Sequence, residues 1–294
     1  MALATFTLEE KKLPRIILSP RSPSSSGGGN LLAIMKKVYA MGVFFFDLPT
    51  RKHLESFREL KRLTEDDGLM GLCHVKAEEG ISFSGNPIHW LELKVTSTIK
   101  RTIVPSELRR DLFPGDPAGE VLTQKEIDRI AFDSFRFDQA LSFFRPDESP
   151  FLLVGEKYSD WLLGLGRFDL LKTIVSRVRE KGFIPIFSGQ WATFLLPKAK
   201  PLDAAAYAVP INKKWSHFDL NRACDLIKKF DRPVISLNPL AEGEFLMEPG
   251  EAFSFLFREL KIAGALAEIG SEEEAKVILK AAEPFPSLIP YRKT

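Results

Sequence analysis

Asp47, His74, Lys76 and Glu156 are the residues of this 294-residue chain whose types and spacing could do chemistry. Each stands at or just past the end of a short apolar run. Val43–Phe46 stops in Asp47-Leu48-Pro49-Thr50, Leu72-Cys73-His74-Val75-Lys76 closes the next run, and Phe151–Val154 exits into Gly155-Glu156-Lys157-Tyr158. Successive strand residues point to opposite faces, so His74 and Lys76 share one face. If that face points inward, each shifts the other's proton affinity. Carboxylates, an imidazole, an amine and a phenol can together hold and move protons, so Asp47, His74, Lys76, Glu156 and Tyr158 form the candidate catalytic set. The structural alternatives are an Asx-type cap for Asp47 and a hydrogen-bonded core histidine beside a surface lysine for His74 and Lys76.

Polar residues close the later runs as well. Gln190 and Trp191 could supply an amide contact and a stacking face, or the packing of a lid. Asn212-Lys213-Lys214-Trp215 brings two cations to its strand end, which suits an anionic ligand or plain solvation. Ser271 and Glu274 form a capping box, and helix N-termini bind phosphates in many barrels. Glu272, Glu273 and Glu274 oppose that use: they stabilise the helix through its dipole and repel a phosphate. The Ser/Gly loop at 22–29 offers backbone amides to an anion but lacks the Gly-Lys-Ser/Thr ending of a P-loop, and reads as a mobile flap or a disordered stretch. His53, His89 and His217 have neither HxH nor HExxH spacing, so no metal site is expected.

Holding these residues together requires parallel strands with both faces covered. Apolar, β-branched runs at Arg15–Leu18, Val43–Phe46, Leu69–Val75, Phe151–Val154, Phe183–Phe187, Ala204–Ile211, Val234–Leu237 and Ala263–Ile269 alternate with helical patterns. The helices are expected at Leu31–Met41, 52–65, Phe168–Lys181, Trp191–Leu196, Asp219–Phe230, Gly250–Lys261 and Glu272–Ala282. Eight strands, each followed by helical material, predict an α/β fold: a single (β/α)8 TIM barrel spanning 1–294, with an elaborated β3–α3 region and an insertion at about 77–122. Within the stretch 77–150, Ile81–Phe83 and Trp90–Ile103 read as extended, Gly85-Asn86-Pro87 as a turn, Pro105–Gly119 as loop and Gln124–Phe144 as one helix. The C-terminal strand ends of such a barrel form the active-site rim.

At this level the sequence resembles the aldo-keto reductase superfamily, distantly and over roughly two-thirds of the chain. Leu13-Pro14-Arg15-Ile16-Ile17-Leu18, with the Gly-rich loop and helix after it, resembles that family's first strand. Met41-Gly42-Val43-Phe44-Phe45-Phe46-Asp47 is similar to its second strand, which ends in a catalytic Asp. Val209-Pro210-Ile211-Asn212 resembles its sixth strand end. Asn238-Pro239-Leu240-Ala241-Glu242-Gly243 and Ile269-Gly270-Ser271-Glu272-Glu273-Glu274 resemble its seventh and eighth, where the nicotinamide cofactor's phosphates lie. The resemblance implies a small carbonyl substrate and NADP held by Asn212, Asn238, Leu240, Gly243, Gly270 and Ser271. It also implies an Asp after strand two, a Tyr a few residues on, a Lys ending strand three and a His ending strand four. Asp47 matches the first, Arg51-Lys52-His53 stands in place of the Tyr, His74 or Lys76 holds the third, and Glu156-Lys157-Tyr158 replaces the His, with Tyr158 a substitute donor.

Composition bounds the alternatives. A net charge of +2 with Lys and Glu mixed throughout predicts no nucleic-acid partner. No run approaches the roughly 20 apolar residues of a membrane helix, and the first twelve residues lack the pattern of a signal peptide. Two cysteines, Cys73 and Cys224, without CxxC spacing suit a reducing cytoplasm. The expected function is a NAD(P)-linked oxidoreductase in which Asp47 tunes His74 or Lys76 to polarise a carbonyl. The alternatives are a cofactor-free lyase or isomerase, with Glu156 or His74 as base and Lys76 as electrophile or imine-forming amine, and a non-catalytic barrel binding a small anion or a protein. Phenylalanines such as Phe132, Phe135, Phe137, Phe143 and Phe144 would suit a homo-oligomer interface as well as a core.

Overall fold

The computed structural model describes residues 4–22, 30–102, 120–217, 219–241 and 247–288. The strands in chain order begin with a hairpin, β1 (Thr5–Leu8) and β2 (Lys11–Pro14), then β3 (Ile16–Pro20), β4 (Phe45–Leu48) and β5 (Met70–Lys76). Three short strands follow, β6 (Ile81–Phe83), β7 (Asn86–Pro87) and β8 (Ile130–Phe132). The chain then runs through β9 (Phe151–Gly155), β10 (Ile184–Ser188), β11 (Ala206–Val209), β12 (Val234–Ser236) and β13 (Gly264–Ile269). Eight of these close a parallel barrel in the order β3-β4-β5-β9-β10-β11-β12-β13. The molecule is a (β/α)8 barrel, as the alternating runs predict.

The period of two sorts each barrel strand into an inner and an outer set. Ile17, Phe45, Leu72, Leu153, Ile186, Ala208, Ile235 and Leu266 pack together inside the barrel, whereas Leu18, Phe46, Cys73, Val154 and Phe187 join the cluster that includes the helices. The hairpin β1–β2, which the sequence reading left without structure, adds Phe6, Leu8 and Leu13 to the inner cluster, and all three are buried. β1 alternates but β2 does not, and over four residues each neither pattern is long enough to stand out.

Arg15 fastens this end of the barrel. It is 4% exposed; its Nε donates to the Ala263 carbonyl at 3.1 Å, Nη2 to Ile262 at 2.9 Å and Nη1 to Pro286 at 3.0 Å. Its guanidinium also lies over the Phe257 ring. A lysine has one ammonium in place of this planar fork. Arg15→Lys is therefore expected to cost about 1–3 kcal/mol, read as a lower Tm by calorimetry; an unchanged Tm would show that the fork contributes nothing.

The region between β5 and β9 departs from the sequence reading. Trp90–Ile103, expected to be extended, forms a 3-10 turn at Ile88–Leu91 and an α-helix at Glu92–Thr102. Its β-branched residues suggested a strand, yet Val95 and Ile99, four apart, bury one helical face, and packing overrides propensity. The single helix expected at Gln124–Phe144 is broken into Gln124–Asp128 and Ser134–Leu141. Between them β8 pairs antiparallel with β6, and Asp133 caps the second helix by accepting from the Arg136 N–H at 3.0 Å. The turn expected at Gly85–Pro87 falls at Ser84-Gly85, both at positive φ, while Asn86-Pro87 pairs with β6. The loop expected at Pro105–Gly119 lies outside the described residues. Among the described residues no helix is long and apolar enough to cross a membrane. Cys73 and Cys224 are both free thiols.

Candidate active site

One layer above the apolar interior, at the C-terminal end of the barrel, the inner positions turn polar. Two residues beyond Ile17, Phe45, Leu72, Leu153 and Ile186 stand Ser19, Asp47, His74, Gly155 and Ser188. Strand register brings them side by side. Leu18 pairs with Phe46, so Ser19 lies beside Asp47; His74 pairs with Leu153 and Lys76 with Gly155. β4 begins two residues later than expected, which places Asp47 within the strand rather than in its turn. Thr50 stands at the N-cap position of the helix after β4, and both Asp47 oxygens are taken by Ser19 and His74, so the Asx-cap alternative does not apply to Asp47.

Asp47 is 1% exposed and fully engaged. Ser19 Oγ donates to its Oδ2 at 2.7 Å, and His74 Nε2 donates to its Oδ1 at 2.6 Å. The other face of the imidazole looks at Glu156, with Nδ1 3.9 Å from Oε1, and Glu156 Oε2 lies 3.9 Å from Lys76 Nζ. The set is thus a chain of alternating sign from three adjacent strands: Asp47, His74, Glu156, Lys76. Burial disfavours a charged His74, but the charge and hydrogen bond of Asp47, together with Glu156, outweigh it and raise the imidazole to about 9. Burial likewise disfavours a charged Glu156, yet the nearby His74 ring and the charge of Lys76 pull its carboxyl below the usual range. At neutral pH His74 is an imidazolium between two carboxylates.

The backbone at Glu156 is bent to make this possible. Gly155 has φ 128° and Glu156, not a glycine, has φ 70° and ψ −149°. Such a conformation costs on the order of 1–3 kcal/mol and clusters at functional sites. The Glu156 N–H holds the turn by donating to Ser188 Oγ at 2.9 Å and to the Ser188 carbonyl at 3.2 Å.

His53, Ser19 and Ser188 belong to this arrangement and were not singled out for it by the sequence reading. His53 is buried; Nε2 lies 2.7 Å from the Pro20 carbonyl and Nδ1 2.7 Å from Thr50 Oγ1. Burial lowers its proton affinity against the pull of the Pro20 bond. A carbonyl only accepts, so the neutral ring carries its proton on Nε2, and Nδ1 accepts from the Thr50 hydroxyl. It ties the end of β3 to the helix Arg51–Thr64. The signal that would find the serines is the inward register of Ser19 and Ser188 themselves.

Tyr158 is not among the groups bonded to Asp47, His74 and Glu156. It is 8% exposed, packs on Trp161 with ring centroids 4.7 Å apart, and burial with nearby Glu78 and Glu92 pushes its hydroxyl up to about 12. It lies on the first turn of the helix Lys157–Gly164, which the sequence reading missed, as a core residue. That helix also carries Asp160, 1% exposed, whose carboxylate accepts the Gln190 N–H at 2.5 Å and the Trp191 N–H at 3.3 Å. Gln190 and Trp191 are thereby fixed through their backbones.

The residues that the resemblance assigns to a cofactor lie at the ends of β11, β12 and β13. Asn212 is buried and committed locally: its Oδ1 accepts from the Lys214 and Trp215 N–H groups at 2.9 and 2.8 Å, and its Nδ2 donates to the Asn238 carbonyl at 3.1 Å. Leu240 packs into the core. Gly243 lies outside the described residues, as does most of the 22–29 loop. Ser271 caps the helix Glu272–Ala282, accepting from the Glu274 N–H at 3.1 Å. The Gly270 N–H donates at 2.8 Å to Glu274 Oε2, which is also paired with Arg21. A backbone N–H and a guanidinium are the donors that a phosphate takes, and here a carboxylate of the same chain stands in for it.

No family model matches the sequence, and no curated protein matches it. Solved structures match its fold. An aldo-keto reductase from Bacillus halodurans, AKR11C1 in its holo form, aligns over 98% of this chain and 93% of its own with a TM-score of 0.58 and 10% identity. An aldo/keto reductase from Brucella melitensis aligns over 95% and 93% with a TM-score of 0.54 and 9% identity.

Proposed function

We propose that this barrel, which has the fold of the aldo-keto reductases, is an oxidoreductase acting on a small carbonyl compound, with His74 as its proton donor. The observation that carries the reading is the His74 ring set between Asp47 and Glu156 at the rim. Nδ1 and Oε1 are 3.9 Å apart, too far for a hydrogen bond, so a carbonyl oxygen entering there meets an N–H without a close acceptor. Positioned proton transfer of this kind contributes on the order of 10²–10⁴-fold. His74 gives its Nδ1 proton to the carbonyl oxygen as charge builds there, and Asp47 steadies the imidazole through Nε2. Lys76, half exposed, faces the mouth beside Glu156 and offers a cation to an acidic substituent on the substrate.

A nicotinamide nucleotide, NADP by the resemblance, would supply the hydride. The donor set at the β13 end fits a phosphate once Glu274 yields: the Gly270 N–H and Arg21 would hold it. A lyase or isomerase with an imine-forming Lys76 is disfavoured because that amine is half exposed beside a carboxylate, without the apolar pocket that activates such lysines.

The test is product formation from a panel of small aldehydes and ketones with NADPH and with NADH, comparing wild type with His74→Asn. The expected outcome is alcohol formed by wild type and about 10²–10⁴-fold less by the variant. No alcohol from any carbonyl with either nucleotide, or equal rates in both proteins, contradicts the reading.

A further inference from the structure

The loops after the seventh and eighth strands, with a helix N-terminus, frequently make the phosphate site of a (β/α)8 barrel. In this chain those strands are β12 and β13, and the seat at the end of β13 is filled from within. Glu274 is on the first turn of the helix that follows, and its Oε2 takes both the Gly270 N–H and the Arg21 guanidinium. Neither partner is loosely placed. Arg21 is 12% exposed at the side chain, and its backbone N–H is bonded to the Ile269 carbonyl at 2.7 Å. Glu274 itself is 25% exposed, so it can turn outward without disturbing the core. Glu272, on the same turn, is held by Lys37 at 3.3 Å and Lys276 at 2.5 Å, and so competes for neither donor.

We propose that Glu274 is a specificity-determining residue that closes the anion seat against a phosphate, so that a phosphate-bearing nucleotide binds only by displacing it. A phosphate arriving with Glu274 in place would meet a carboxylate at its own two donors, and like charges so close are strongly unfavourable. Removing that carboxylate releases the Gly270 N–H and the Arg21 Nη2 from it while Ser271 keeps the helix capped. The inference rests on the oxidoreductase reading only in naming the nucleotide; the seat itself is tested without it.

The experiment is calorimetric titration of wild type, Glu274→Ser and Glu274→Ser/Arg21→Gln with inorganic pyrophosphate, then with NADPH. Circular dichroism and Tm verify that each variant is folded. Glu274→Ser is expected to bind pyrophosphate about tenfold or more tightly than wild type, a gain of at least one decade, and the double variant is expected to lose that gain. Equal pyrophosphate affinity in wild type and Glu274→Ser overturns the proposal, as does a gain that survives Arg21→Gln. A pyrophosphate gain without saturable NADPH binding upholds the closed seat and counts against the nicotinamide reading, which separates the two failures.

Discussion

Asp47→Asn is expected to lower turnover of the carbonyl substrate by about 10²–10⁴-fold and to remove a pH dependence of stability that wild type shows on the alkaline side. Asparagine keeps the shape and an acceptor for His74 Nε2 while removing the charge. Without that charge burial dominates, and the imidazole loses the proton it is meant to deliver. The sign follows from where the proton is bound. The His74 pKa rises from 6.5 unfolded to about 9 folded, so the native state holds the extra proton between those values. Its contribution is fully present below about 6.5 and is lost as pH rises through about 9. Wild-type Tm should therefore fall across that window, and the Asp47→Asn Tm should be flatter there. Parallel Tm curves for the two proteins would contradict the coupling of Asp47 to His74.

Gly155→Ala is the second change with a large expected effect, about 3 kcal/mol or more of stability, read by urea unfolding. At φ 128° an added Cβ is strained whatever surrounds it, and here it would also clash with Ser159 Oγ and the Ser188 carbonyl. That carbonyl is an acceptor for the Glu156 N–H, so relief of the clash would move the turn that aims Glu156 at His74. Gly166, at φ 76° with nothing near its Cβ position, is the control. Gly166→Ala should cost only about 1 kcal/mol. Equal costs at the two positions would show that the crowding around Gly155 does not matter.

The barrel was legible because its strands are apolar on both faces and stop abruptly at polar residues. Those stops are also what exposed Asp47, His74, Lys76 and Glu156, which the structure gathers from β4, β5 and the end of β9. The period of two put His74 and Lys76 on one face, and both follow Leu72 on the inner side. What escaped the sequence depends on packing. Val95 and Ile99 look like strand residues until their spacing is matched to a buried helical face. Tyr158 looked like a donor because it follows Glu156 closely, but the helix starting at Lys157 turns its ring onto Trp161. His53 gave no signal because, although Thr50 is only three residues away, the Pro20 carbonyl is brought to it only when β3 and β4 lie side by side. The Glu274 carboxylate takes the Gly270 N–H and not the Ser271 N–H of the expected capping box, but the Ser271 cap was legible, and so was the negative charge around it. That one of those glutamates would occupy the donors a phosphate needs was not, because Arg21 is 253 residues away in sequence.

The measurement that tests the central claim most directly is an NMR titration of the His74 ring in the wild-type protein, assigned by comparison with His74→Asn. A midpoint near 9, well above the ordinary 6.5, is the predicted result: an imidazolium held between Asp47 and Glu156 through the neutral range. A midpoint at or below 6.5 would mean that burial governs the ring, and that His74 has no proton to give at neutral pH.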